Sequence, residues 1–333
     1  MDVFSTHPPL IERIRRIDPS FDGNFPVYES FVGKAETAPA PEEASSFEKA
    51  FDRLSDFGSG DEESFMRSVG TFGAEHVVFA AALISSMPDG LKNAAHGARE
   101  STLLIYALLL NEDSSARKKQ LDYIAEKSGA GTAEKIKKLL GGVEKVKPEG
   151  RLPLVDMALP ALRTMENDAY AQFKSDVEFF VLADDRLSLF EYSLKKILFK
   201  HLDAHFKGVK KSGAHFYSIK PLIPYCADLL SVLAYFGNED ASSASIAFRT
   251  GMERLEKGGN IAMLPREGLK FETVDKSLSA INSATPQIRK KVLEACSACV
   301  WANRRVTVRE SELLRVIADA LDCPVPPGIA VPA

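Results

Sequence analysis

From Ser45 onward, apolar residues recur at three- and four-residue spacing almost without a break. That spacing lines up one face of an α-helix, whereas a half-buried strand needs strict alternation. Ser46–Phe57, Ala74–Met87, Ser101–Leu110, Ser114–Lys127 and Thr132–Leu140 each carry it, with Pro88, the Gly141 and Gly142 pair and Pro148 as punctuation. No alternating run interrupts the series, so the expected fold is all-α, built from helical hairpins.

The first 44 residues differ. Residues 1–17 read as a short helix, with Thr6 as N-cap, Pro8 and Pro9 in the first turn, and Leu10, Ile14 and Ile17 on one face. Residues 18–44 read as a disordered linker, since the stretch from Lys34 to Ser45 is rich in Pro, Ala and Glu. Beyond it we expect a helical domain over 45–147, a second over 148–325 and a tail over 326–333.

Within the second domain the sequence repeats. Leu182–Ile197 and Trp301–Val316 match in register, Ala183 with Ala302, Arg186 with Arg305 and Glu191 with Glu310, at an offset of 119 residues. Each segment follows an apolar helical run. Ser188 with Glu191 and Thr307 with Glu310 both have the spacing of a capping box: the hydroxyl takes the N3 amide and the carboxylate reaches back to the cap amide. Each copy is therefore a helix, a polar turn and a capped helix, and two such hairpins can bury their apolar faces against each other.

The acids of the first turn invite a metal reading. Asp184, Asp185 and Glu191 could ligate a hard cation, but the second copy has Asn303 and Arg304 where the first has Asp184 and Asp185. Capping explains both glutamates without an ion. His201 and His205 stand four apart on one helix face, the histidine spacing of a zincin helix, yet Leu202 replaces the general-base glutamate. The competing reading is a solvated helix end whose imidazoles favour the C-terminal dipole. Cys296 and Cys299 form a CxxC inside a helical run, at the core positions matched by Val177 and Phe180, and read as buried structural thiols. The sequence contains no GxxxxGK[ST], GxGxxG, GxSxG or HExxH.

Composition narrows the partners. Lys+Arg is 42 against Asp+Glu 46, giving a formal net charge of −4. A dedicated nucleic-acid binder would carry a basic excess, and the lysine clusters near 117–119, 135–138 and 207–211 read as solvated helix faces. Four cysteines suit a reducing compartment. The longest apolar runs, Val77–Ile84 and Leu103–Leu110, fall far short of the roughly 20 residues of a membrane span.

The N-terminal string FSTHPPLIERI from Phe4 to Ile14, followed by DPSFDG from Asp18 to Gly23, resembles the segment that closes the catalytic domain of HtpX-like membrane zinc metallopeptidases, relatives of the CAAX prenyl proteases. On that resemblance His7 maps onto the motif histidine. LLLN from Leu108, RLPLVDMALPAL from Arg151, and the two repeat turns with their following helices resemble the helical extension of one subgroup, the turns being similar to TerB-like domains. The resemblance implies a non-catalytic C-terminal region that recognises protein substrates or partners. No cofactor is expected in this chain; zinc, the HExxH helix and the membrane helices are expected in an upstream domain, which would tether a cytoplasmic module at the inner membrane. Two other readings stand beside it: a stand-alone TerB-like interaction or stress-response protein, and an independent metalloenzyme using His201 and His205.

Overall fold

The computed structural model describes residues 62–325, apart from 71–73, 185–186, 209–213, 239, 257–260 and 305. The N-terminal helix and linker, the helix expected over Ser46–Phe57, His7, Asp185 and the tail lie outside the described residues.

Among the described residues the chain is all-helical, as the periodicity requires. Fourteen α-helices are present: α1 Glu62–Ser68, α2 Ala74–Ser86, α3 Asp89–Ala94, α4 Ala98–Leu108, α5 Ser114–Ser128, α6 Ala130–Val143, α7 Pro148–Leu162, α8 Asn167–Val181, α9 Leu189–Phe206, α10 Ile223–Gly237, α11 Ala241–Leu255, α12 Phe271–Asn282, α13 Pro286–Val300 and α14 Val308–Ala320. Local chemistry sets the boundaries. Asp113 caps α5 by accepting from the amides of Ser115 at 3.0 Å and Ala116 at 2.9 Å. Gly129 sits at φ 85°, a conformation costly for a side chain, and separates α5 from α6. The Gly141 and Gly142 pair, expected to punctuate, instead lies inside the last turn of α6. There Gly142 makes room for Leu91, whose Cδ2 would stand 3.0 Å from an added methyl. Close approach, and not a chain break, accounts for it.

The apolar core is continuous from Phe65 to Leu321 and crosses residues 147 and 148. Buried charge within it is held by donors, as at Asp176. Asp176 is only 5% exposed and accepts from Tyr106 Oη at 2.9 Å, Tyr123 Oη at 2.8 Å and Gln172 Nε2 at 2.7 Å. Those donors, with Lys127 at 3.1 Å, replace the hydration it gives up.

The repeat extends further than its most similar stretch. In α7, Val155, Ala158, Leu159 and Leu162 are buried; in α12 the buried residues are Val274, Ser277, Leu278 and Ile281, each displaced by the same 119 residues. Phe173, Val177, Phe180 and Val181 of α8 match Val292, Cys296, Cys299 and Val300 of α13. Leu194, Ile197, Leu198 and Leu202 match Leu313, Val316, Ile317 and Leu321. The first helices correspond too. Asn111, beyond α4, donates from Nδ2 to Asp184 at 2.7 Å, and Asn238, beyond α10, accepts from Asn303 at 3.1 Å; Asn303 is the counterpart of Asp184. One helical unit therefore occurs twice, in α4–α9 and in α10–α14, with α5 and α6 standing where the second unit has α11.

The two units pack reciprocally. Lys196 pairs with Asp275 at 2.8 Å, and their counterparts Arg315 and Asp156 pair with the roles exchanged. Contact i to j′ together with i′ to j is the signature of two-fold packing, since a head-to-tail arrangement cannot produce it. Lys200 meets its own counterpart Asp319, which places the pseudo-twofold axis between α9 and α14.

Candidate functional site

The two capped turns are formed as the spacing predicts. Ser188 N donates to Glu191 Oε2 at 2.8 Å and Glu191 N to Ser188 Oγ at 3.2 Å. Thr307 N donates to Glu310 Oε2 at 2.8 Å and Glu310 N to Thr307 Oγ1 at 3.2 Å. Both glutamates are buried, and burial raises both carboxyls above the ordinary range although the cap bonds pull the other way. Glu310 lies beneath Gly237, the last residue of α10.

The possible ligands have other work. Asp184 accepts from Asn111. His201 Nε2 is 3.0 Å from Asp319 Oδ1, at the seam between the units. His205 sets its ring edge-on to Phe206, with centroids 4.9 Å apart. The two imidazoles thus meet different partners, Asp319 and Phe206. Among the described residues no group of three or more His, Cys, Asp or Glu side chains is arranged to hold a metal. Cys296 and Cys299 are buried in α13, where desolvation raises both thiols. No described helix is long and apolar enough to cross a membrane.

Two concavities among the described residues bear on function. The smaller, about 320 Å³, lies on the seam and holds Asp156, Arg163, His201, Arg315 and Asp319. Its acids already serve Arg315, Lys200 and His201. The larger is a groove of about 850 Å³ in the second unit, between the end of α10 and the starts of α12 and α14. Tyr235, Phe236, Leu269 and Phe271 form its apolar wall. Phe271 is held by stacking on Tyr192, with centroids 4.4 Å apart. Arg266, Lys270 and Arg309 supply three positive charges. The Arg266 guanidinium lies 5.2 Å over the Tyr235 ring.

No protein-family model, curated protein or solved structure matches this chain. Its chemistry must therefore be read from the geometry.

A wall of aromatic side chains edged by cations binds by contact and charge. The volume falls within the range of ligand sites, though the groove is open. The sequence did reveal the caps that frame this groove. It did not reveal the groove, because its wall draws on residues from 232 to 309. One signal was available: in the aligned repeat Arg309 stands opposite Phe190 and Lys270 opposite Arg151, so a position that is aromatic in one copy is cationic in the other.

Proposed function

We propose that this chain is a non-catalytic recognition module, whose second unit receives protein partners or substrates in the groove beside Phe271. The observation that carries this reading is the groove itself: an aromatic wall, a basic rim, and the capped first turn of α14 beside them. Aromatic and arginine side chains on such a support are the residues that dominate protein recognition.

The resemblance of Phe4–Gly23 and of the repeat turns supports a more specific assignment. In it the module is the C-terminal regulatory or substrate-recognition region of an HtpX-like membrane zinc metallopeptidase. Zinc and hydrolysis then belong to another domain, and the module works at the cytoplasmic face of the membrane.

An antibody raised against the chain, used on fractionated source cells, tests the assignment. The expected result is a membrane-fraction band well above 36.4 kDa whose immunoprecipitate shows zinc-dependent proteolysis. A soluble band near 36.4 kDa with no such activity refutes the peptidase assignment and leaves a stand-alone recognition protein.

A further inference from the structure

The two units are built alike, so a surface covered in one and open in the other shows what the open one accepts. Leu269 of the groove corresponds to Gly150 in α7. A methyl added at Gly150 would lie 2.9 Å from Val146 Cγ1 in the link before α7, 3.7 Å from Leu83 Cδ1 and 3.8 Å from Met87 Cε, the last two at the end of α2 and just beyond it. Leu83, in the last turn of α2, and Met87, one residue past its end, are both buried. Beside the first unit this place is thus covered by Val146 and by the C-terminal end of α2, a helix that precedes α4.

In the second unit no described helix takes that role, and the groove is open. Its rim has also changed. In the first unit Arg151 lies over the Phe190 ring at 5.9 Å. In the second, Lys270 and Arg309 occupy those two places; both are exposed and neither has a carboxylate partner among the described residues. Leu269 and Phe271 stand where the first unit has Gly150 and Leu152, and the rim gains one positive charge, Arg309 for Phe190.

We propose that the groove binds an amphipathic helix of a protein partner, with apolar residues at i and i+4 against Phe271 and Leu269 and carboxylates facing Lys270 and Arg309. The proposal rests on the recognition reading above and adds the chemistry of the partner. Shape favours a helix because the end of α2 helps to fill the equivalent place; charge favours an acidic one because Lys270 and Arg309, which have no carboxylate partner among the described residues, edge the wall.

The test uses the full chain and a labelled peptide of roughly 18 residues, with Leu at i, i+3, i+4 and i+7 and Glu elsewhere, read by fluorescence anisotropy. Its twin has Lys in place of Glu. The expected result is saturable binding of the Glu peptide, weakened by salt, and none of the Lys twin. The double variant Lys270→Glu with Arg309→Glu should lose roughly tenfold or more in affinity, while Lys137→Glu with Lys138→Glu, at exposed positions of α6, should not. Loss of fold does not explain such a difference, because a glutamate in the first turn of α14 suits that helix end. Equal binding by both double variants, no binding of the Glu peptide, or stronger competition by phosphatidylserine vesicles than by peptide would each overturn the proposal. A photo-crosslinker at Leu269 that captures a discrete protein adduct undiminished by the Lys270 and Arg309 reversal would sink the acidic partner alone. No adduct at all would sink the recognition reading with it.

Discussion

Replacing Gly237 by Ala should destabilise this protein, against the expectation from helix propensity. Gly237 ends α10 with ordinary helical geometry, and Gly→Ala in a helix is favourable by up to about 1 kcal/mol. Here the new methyl would overlap the Glu310 carboxylate and lie 2.8 Å from its Cγ. Glu310 is 1% exposed, and its Oε2 takes the Thr307 amide and hydroxyl, each at 2.8 Å. The carboxylate can yield only by leaving the cap of α14. Loss of a cap costs ~0.5–2 kcal/mol, and a broken bond to a charged group ~1.5–3 kcal/mol. The contributions overlap, so after the propensity gain the net loss should be about 1–3 kcal/mol. Urea denaturation of the chain, with parent and variant compared at equal slope, measures it. The reasoning is checked in a Glu310→Ala background, where the obstruction is gone and Gly237→Ala should be neutral or stabilising, giving a coupling of about 2 kcal/mol. A Gly237→Ala variant as stable as the parent, or an unchanged cost without the Glu310 carboxylate, would refute the close-approach argument.

Two further outcomes follow from buried titratable groups. Burial lifts the Glu312 carboxyl to about 7, with Arg315 and Arg151 pulling it down and Glu149 pushing it up. A folded carboxyl above its ordinary value of 4.5 holds a proton that the unfolded chain releases, so its contribution to stability falls as pH rises from about 4.5 through 7. Glu312→Gln should therefore gain stability relative to the parent at pH 8 more than at pH 4, by thermal melts at both; an equal offset at both would exclude Glu312 as a source of the slope. Burial also pushes the Cys226 thiol up to about 12 and raises Cys296 and Cys299 as well. In the native protein only the half-buried Cys323 should react with a thiol reagent, and all four on unfolding; fast native labelling of Cys296 or Cys299 would contradict the core assignment.

What the sequence made legible was local. Ser188 with Glu191 and Thr307 with Glu310 could be read as caps because a capping box is complete within four residues. The all-helical class was readable because periodicity is also short-range. The reach of the duplication was not. Ala158 and Ser277, or Leu162 and Ile281, share a place in the core but not a side chain, so only their common burial reveals the match. The Gly141 and Gly142 pair misled because glycine signals both a break and a close neighbour, and Leu91, fifty residues away, decides between them. His201 was placed at a solvated helix end for want of its partner: Asp319 belongs to the other unit, and only the two-fold packing brings them within 3.0 Å. The groove was hidden for the same reason, being assembled from the ends of three helices.

The central claim is that the second unit recognises a protein through the groove beside Phe271. Photo-crosslinking in source cells tests it most directly, with a benzophenone amino acid placed at Leu269 in one strain and at the exposed Ile246 of α11 in another. The account predicts a discrete, reproducible protein adduct from Leu269 that is absent from Ile246. The same adducts from both positions, or none from Leu269, would contradict it.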